Sequence, residues 1–139
     1  MTQRYTISFI PGDGIGTEVL PVGRDAIGIV ADRHGFEVRW KDFDWSCTRF
    51  EDTGSMMPED GIDRLRETDA IYLGAVGWPS VPDHVSLWGL LIPIRRAFDQ
   101  YANVRPVRLL EGISSPLAGR GPEDIDFVVV RENVEGEYS

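Results

Sequence analysis

The sequence predicts an α/β fold with a largely parallel sheet, because short β-rich runs alternate with stretches of helical periodicity. The first run, Tyr5 to Ile10, is followed by a helical pattern from Gly16 to Arg33 and by an alternating strand from Phe36 to Phe43. Strands separated by helices usually form a parallel sheet that the helices cover. The continuous apolar run from Ala70 to Val76 agrees, since a strand buried on both faces has no polar alternation.

Turn residues set the predicted boundaries in the first half of the chain. Pro11-Gly12 ends the first strand, and Gly35 ends the first helix because glycine readily takes the left-handed conformation found at helix C-termini. Pro58 is expected in the first turn of a short helix that continues to Glu67. The buried face of the first helix is predicted to consist of Val19, Leu20, Ala26, Ile27 and Val30.

The second half of the chain predicts one more helix and two more strands. The helix covers residues near 87 to 100, and its regular part is expected to begin at Pro93, which is well tolerated at the first helical position. The strands are Tyr101 to Leu110 and Ile125 to Val130, and they are separated by a loop from Glu111 to Glu123. The chain stops soon after the last strand, so we expect it to be a truncated form of a larger domain.

Composition excludes several classes of protein. The 139 residues carry 14 basic and 23 acidic side chains, a net charge of -9, whereas duplex nucleic-acid binders are basic. We find no apolar run of the ~20 residues needed to cross a bilayer and no signal-peptide pattern. Cys47 is the single cysteine, so a disulfide within the chain is impossible and a reducing cytoplasm is the expected location.

A glycine-rich loop joins the first strand to the first helix. The segment Pro11 to Glu18 contains three glycines, but a dinucleotide-binding Rossmann loop needs glycine at positions one, three and six. Counted from Gly12, the sixth position is Thr17, so the fingerprint fails. The loop is therefore predicted to be a tight turn in which glycine permits close approach of another backbone segment.

Three arginines stand at the predicted ends of helices and strands: Arg95, Arg105 and Arg131. With Arg96, Arg95 falls in the first turn of a helix that starts at Pro93, where free N–H groups favour anions. Arginine binds carboxylates through two parallel hydrogen bonds, so a convergent set suits a substrate with several carboxylates. Each arginine alone is better explained as a solvated surface residue, and it is the occurrence of three at such ends that favours an anion site. Tyr138 follows in a polar loop, either as a proton donor or as an ordinary half-buried tyrosine.

Five motifs in order resemble the N-terminal part of the β-decarboxylating hydroxyacid dehydrogenases, the family of isopropylmalate and isocitrate dehydrogenases. They are Pro11 to Gly16, Gly74 to Gly77, Ile94 to Arg96, Tyr101 to Pro106 and Val130 to Tyr138. The resemblance implies the α/β fold of that family, which is not a Rossmann fold and would be incomplete here. Residues 1–100 would form the first part of the cofactor- and substrate-binding domain, and residues 101–139 would begin the second, dimerisation-side domain.

The resemblance also implies an activity and a set of site residues. Family members oxidise a 2-hydroxy acid with NAD or NADP and use Mg²⁺ or Mn²⁺ to promote loss of CO₂. Arg95, Arg105 and Arg131 match the residues that bind the substrate, and Tyr138 matches the tyrosine that helps to protonate the enol. Cofactor-lining positions match Ile15, Gly74, Ala75 and Val76. The metal ligands match no residue of this chain, and the full-length form is expected to be a homodimer.

Residues before Arg95 distinguish the subfamilies. Isopropylmalate dehydrogenases have a Glu at the position of Trp88, and isocitrate dehydrogenases have a Ser at the position of Gly89. The segment from Ser86 to Leu91 looks most like tartrate or D-malate dehydrogenases, which implies that Trp88 and Leu91 border a pocket for a small dicarboxylate. Two alternatives stay open: an isopropylmalate-type activity, and a short non-catalytic binding module. The sequence predicts that residues 1–139 alone are inactive.

Overall fold

The computed structural model describes residues 2–135, and these residues form two compact units. The first unit extends to Ile94 and the second begins at Arg95. Each unit is described by itself below, and the predicted domain division at residue 100 stays a prediction.

A parallel three-stranded sheet is the centre of the first unit. Its order is β2-β1-β3, so the first strand lies in the middle, and Ile7 pairs with Trp40 on one side and with Ala70 on the other. This arrangement confirms the predicted parallel sheet. The elements are β1 (Gln3–Ile10), α1 (Ile15–His34), β2 (Phe36–Asp42), α2 (Cys47–Thr53), α3 (Gly61–Arg66), β3 (Ala70–Leu73), α4 (Asp83–Ser86), a π-helical turn (Leu87–Leu91) and α5 (Ile92–Ala97), which continues into the second unit.

Helix α1 ends where the sequence predicts but buries a different face. Gly35 has a φ of 72° and its N–H donates to the carbonyl of Ala31, as a left-handed C-cap should. Of the predicted face, Leu20 is buried and Ile27 half-buried, whereas Val19, Ala26 and Val30 are exposed. The contact stripe consists instead of Gly16, Leu20, Gly23, Arg24, Ile27 and Ala31. The prediction was wrong because small residues and one arginine, rather than the largest apolar ones, allow the helix to approach the sheet.

Strand β3 is shorter and more exposed than its apolar sequence predicts. It ends at Leu73, paired with Ile10 at the last position of β1, and Gly74 N–H then donates to the Ile10 carbonyl. Ala70 is exposed and the other three residues are half-buried. The run from Gly74 to Val76 leaves the sheet because β1 offers no further residues for pairing, so the prediction of a strand reaching Val76 and covered on both faces was wrong.

Two helix starts also differ from the prediction. Helix α3 begins at Gly61, whose N–H donates to the Pro58 carbonyl, so Pro58 precedes the helix rather than lying in its first turn. The helical segment that contains Pro93 begins at Asp83 rather than near residue 87. Its π-helical turn is closed by Ile92 N–H donating to the Leu87 carbonyl.

The π-helical turn explains how a proline lies inside this helical segment. Pro93 has no N–H, and its ring clashes with the carbonyl four residues earlier in a regular helix. A wider turn just before it relieves that clash. As a consequence Arg95 and Arg96 lie in the last turn of α5, not in a first turn. The prediction that both arginines lie in a first turn beside free N–H groups was therefore wrong, and the helix dipole favours cations in the last turn where they lie.

An antiparallel strand pair dominates the second unit. Strand β4 (Ala102–Arg108) pairs with β5 (Asp126–Glu132), from Ala102 opposite Glu132 to Arg108 opposite Asp126. The connection from residue 109 to 125 contains turns and no helix or strand, as the predicted loop requires. The expectation of a largely parallel sheet therefore holds for the first unit and fails here, because no helix separates these two strands.

The core of the first unit lies beneath α2, α3 and the helical segment after residue 83. Its largest fully buried side chains are Trp45, Ile10, Met56, Leu65, Leu90, Ile94, Cys47 and Ser8. Among residues 2–135, no helix combines the length and apolar character that crossing a bilayer requires.

Candidate functional site

Strand pairing in the second unit places two of the three predicted substrate arginines on one face. Arg131 lies opposite Asn103, and Arg105 lies opposite Val129. Residues two apart on a strand share a face, so Arg105 and Arg131 are diagonal neighbours, about 7–8 Å apart between their Cα atoms in such pairs. Arg105 Nε also donates to Asn103 Oδ1 at 3.4 Å. The antiparallel register, rather than the ends of parallel strands, brings these two guanidinium groups together.

Arg95 completes the arginine cluster, which we define as Arg95, Arg105 and Arg131. Arg95 is half-buried. Burial lowers the pKa of its guanidinium, and the positive charges of Arg131 and Arg105 lower that pKa further. Three like charges that influence one another in this way form a strongly positive site with many N–H donors. Such a site can bind a ligand with two carboxylates, although the substrate role of the three residues stays a prediction.

Hydrogen bonds connect the end of α5 to β5 beside the arginine cluster. Gln100 N–H donates to the carbonyl of Arg95 at 2.9 Å, and the side-chain amide of Asn133 donates to the carbonyl of Gln100 at 3.3 Å. Asn133 is buried, and within residues 2–135 its Oδ1 accepts no hydrogen bond. The sequence analysis did not single out Asn133, although it lies inside the motif that contains Arg131.

The glycine-rich loop of the first unit packs against the loop that follows β3. A Cβ added at Gly12 would lie 2.1 Å from the Ala75 carbonyl oxygen, and one added at Gly74 would lie 2.0 Å from the Pro11 carbonyl oxygen. The predicted close approach of a backbone segment is therefore present, and the segment is the chain's own. Gly16 and Thr17 at the start of α1 donate their N–H groups to the carbonyls of Asp13 and Gly14.

The four predicted cofactor-lining residues lie on these two contacting loops. Ile15 has 60% of its side chain exposed, Ala75 is exposed, and Gly74 and Val76 are half-buried. Exposed apolar groups beside an open backbone segment suit one wall of a dinucleotide site, so the residues present fit the cofactor that the family resemblance implies. Their role in binding it stays a prediction.

Asp13, in the middle of the glycine-rich loop, is a buried carboxylate that the sequence analysis did not identify. It is 4% exposed. Its Oδ1 and Oδ2 accept the N–H of Cys47 at 2.9 and 3.1 Å, and Oδ2 also accepts the N–H of Gly77 at 3.1 Å. Burial, and then the hydrogen bond to Asp13, raise the pKa of the Cys47 thiol to about 11. The thiol is therefore protonated at neutral pH and is not a nucleophile.

The predicted specificity residues lie on the π-helical turn. Trp88 is 52% exposed and Leu91 is half-buried. Gly89, at the position of the isocitrate-type Ser, faces the interior, since an added Cβ would lie 2.7 Å from Met56 Cγ. Tyr138 lies outside the described residues. Residues 2–135 contain no group of three or more His, Cys, Asp or Glu side chains that could hold a metal ion, so they do not fit the metal site of the family.

Comparison with known proteins identifies the family. Residues 6–139 match the family described as isocitrate/isopropylmalate dehydrogenase. The chain belongs to this family, in agreement with the glycine-rich turn, the arginine cluster and the failed Rossmann fingerprint.

About half of the residues in the aligned segment are identical between this chain and its curated relatives. It is 55% identical to D-malate dehydrogenase [decarboxylating] of Escherichia coli strain K12, over 100% of the chain and 39% of that relative. It is also 55% identical to the tartrate dehydrogenase/decarboxylase of Pseudomonas putida, over 97% of the chain and 38% of the relative. The chain thus spans less than two-fifths of the length of the relatives it matches.

Solved structures show the same fold at lower identity. An isocitrate dehydrogenase from Methylococcus capsulatus aligns with a TM-score of 0.70 and 31% identity, over 96% of this chain and 36% of that one. A β-decarboxylating dehydrogenase from Thermococcus kodakarensis aligns with a TM-score of 0.66 and 30% identity, over 95% of this chain and 35% of that one. The predicted isopropylmalate/isocitrate dehydrogenase-like fold, present here in part, is confirmed.

Proposed function

We propose that this chain supplies the substrate-binding arginines and one wall of the cofactor site of an NAD-linked, metal-dependent dehydrogenase. The enzyme would oxidise and decarboxylate a small 2-hydroxy dicarboxylic acid such as D-malate or tartrate. The observation that carries the proposal is the arginine cluster of the second unit, in a chain that is 55% identical to relatives named for these two substrates.

The arginine cluster would bind and orient the acid. Arg105 and Arg131 project from one face of the strand pair, so their planar groups can each engage a carboxylate through two hydrogen bonds. Burial and the charges of Arg131 and Arg105 lower the pKa of Arg95, and a bound dianion would offset the effect of those two charges. When bound, NAD would accept a hydride from the carbon that bears the hydroxyl group. The described residues contain no cluster of three or more side chains that could hold a metal ion, and the role proposed for the arginine cluster is to bind and orient the acid.

A side-by-side substrate assay of the full-length enzyme tests this proposal. D-malate, tartrate, isopropylmalate and isocitrate are each supplied with NAD or NADP and with Mn²⁺, and reduced cofactor is followed by its absorbance. We expect the highest kcat/KM with D-malate or tartrate and NAD. A clear preference for isopropylmalate would show that the alternative activity is correct.

The variant Trp88→Ala tests the proposed selector in the same assay. Trp88 is a large side chain on the π-helical turn, and removing it should enlarge a pocket that it borders. We expect the ratio of isopropylmalate to D-malate kcat/KM to rise at least about ten-fold, the lower end of the discrimination that one methylene group contributes in an apolar pocket. Because each substrate serves as the control for the other, a general loss of activity leaves the ratio unchanged and would exclude the role.

The wider biological setting is part of the proposal. The full-length enzyme would be a homodimer in the cytoplasm that acts on a small dicarboxylate and binds neither nucleic acid nor membranes. The net charge of -9 supports the absence of a nucleic-acid partner, since such partners require a positive surface.

A further inference from the structure

The buried carboxylate of Asp13 connects three segments of the first unit. Its side chain accepts the backbone N–H of Cys47, at the start of α2, and the backbone N–H of Gly77, in the loop after β3. Its own N–H donates to the Ala75 carbonyl at 2.6 Å. Backbone and side chain of one residue thus bind the loop from Gly74 to Gly77 at two points.

These contacts suit a carboxylate, whose two oxygens both accept hydrogen bonds, better than another polar group. Both oxygens face N–H donors, and an amide in the same place would turn one of its own N–H groups towards a backbone N–H. A buried charge is tolerated only when hydrogen bonds compensate for the lost water, and charge-assisted bonds are the strong ones. Asp13 is therefore suited to hold its partners in one conformation.

The loop from Gly74 to Gly77, to which Asp13 is hydrogen-bonded, contains three of the four predicted cofactor-lining residues. After the bond from Gly74 N–H to the Ile10 carbonyl, Ala75 and Val76 are not paired with β1, because that strand ends at Ile10. Contacts with the glycine-rich turn, among them the bonds of Asp13, therefore take the place of sheet pairing. If Asp13 is replaced, the loop from Gly74 to Gly77 loses the hydrogen bond from Gly77 N–H to the carboxylate. The arginine cluster belongs to the other unit, and that hydrogen bond is no part of it.

We propose that Asp13 is a positioning residue for dinucleotide binding: it fixes the backbone of the loop from Gly74 to Gly77 and thereby raises affinity for the cofactor without touching the substrate. The inference rests on the proposed function, because the cofactor-lining role of this loop comes from it. The proposal predicts that a change at Asp13 affects binding of the dinucleotide but not binding of the hydroxy acid. A residue needed only for folding would affect both.

The variant Asp13→Asn in the full-length enzyme tests the inference. Asparagine has nearly the same shape as aspartate but carries no charge. We expect the KM for NAD to rise about ten-fold, because a charge-assisted hydrogen bond is lost. The KM for the hydroxy acid should change less than about two-fold. Ser46→Ala is the matched control. It removes the Ser46 Oγ that accepts Arg49 N–H at the start of α2, yet spares every bond of Asp13. It should lower the Tm and leave the KM for NAD unchanged.

Amide hydrogen exchange gives a second readout that does not depend on activity. In the unliganded protein, Asp13→Asn should speed exchange at Gly77 and Cys47 about ten-fold relative to wild type, since both amides lose an anionic acceptor. Equal exchange rates in wild type and Asp13→Asn, or an unchanged KM for NAD in a folded Asp13→Asn enzyme, would overturn this inference but not the proposed function. A wild-type enzyme that binds no dinucleotide would refute the proposed function together with it.

Discussion

The arginines of this chain have more than one structural role. Thirteen of the fourteen basic side chains are arginine. Arg24 lies over the rings of Phe9 and Trp40, at 5.1 and 5.0 Å from their centroids, and pairs with Asp42 at 2.7 Å. This arginine anchors α1 to the sheet through stacking that lysine cannot reproduce. Composition alone therefore could not show which arginines bind an anion.

Replacing Arg105 by Lys should impair the full-length enzyme strongly. Lysine keeps the charge but loses the planar fork that binds a carboxylate twice, and a hydrogen bond to a charged group contributes about 1.5–3 kcal/mol. We expect kcat/KM for D-malate to fall about ten- to a hundred-fold, measured by initial rates at several substrate concentrations.

Arg108→Lys is the matched control for this substitution. Arg108 lies on the same strand, three residues further along and hence on the opposite face, where it approaches Asp126 at 3.9 Å. Its replacement should leave kcat/KM within about two-fold, since exposed ion pairs contribute little. Equal effects of the two substitutions would contradict the assignment of Arg105.

At the level of elements, the glycine-rich turn gives a test that separates backbone strain from steric contact. Gly12 and Gly35 have nearly equal φ angles of 71° and 72°, but a Cβ at Gly12 would lie 2.1 Å from the Ala75 oxygen, whereas Gly35 has open space around it. Gly35→Ala should cost only the strain of a left-handed residue, about 1–2 kcal/mol. Gly12→Ala should destabilise the protein considerably more, as urea unfolding of both variants will measure. Equal losses would show that the two loops do not pack as described.

Element boundaries were predictable where a local signal decides them. Gly35 ends α1 as expected, and the alternation of β2 matches its half-buried pattern. Helix α2 was missed although Ser46 at its N-cap and Gly54 at its C-cap are the usual signals. It has seven residues, and so short a helix has no periodicity to recognise. The π-helical turn was not predicted, because its wider turn is a response to Pro93 rather than a sequence pattern.

The buried face of α1, the positions of the arginines and the role of Asp13 depend on packing and strand pairing between distant segments, which the sequence alone did not predict. The buried face of α1 depends on where Tyr72, Phe9 and Trp40 meet it, and these belong to three different strands. The three arginines predicted to bind substrate were chosen from their positions in the chain and from the family resemblance, yet Arg105 and Arg131 are brought together by antiparallel pairing, which was not expected. Asp13 was missed because its partners are backbone amides 34 and 64 residues away.

For the whole molecule, we expect residues 1–139 alone to show no dehydrogenase activity. Residues 2–135 hold no metal-binding cluster, and an unassisted keto acid lacks the charge stabilisation that promotes loss of CO₂. Apolar side chains of α1, among them Val22 and Ile29, are exposed by 68% and 69%, which favours self-association. The check is to express this segment, add NAD, Mn²⁺ and D-malate, and follow NADH alongside sedimentation. Turnover by a monodisperse monomer, with the full-length enzyme as positive control, would contradict this expectation.

The arginine cluster links ligand occupancy to folding. Burial lowers the pKa of Arg95, and the positive charges of Arg131 and Arg105, held nearby by β4, β5 and the end of α5, lower that pKa further. A bound anion would counter the effect of these two charges on Arg95, so we expect it to bind the folded second unit in preference to the unfolded chain. A ligand that binds the folded form stabilises it in proportion to the logarithm of its concentration above Kd. A dicarboxylate that binds the arginine cluster would therefore raise the free energy of unfolding as its concentration rises above Kd.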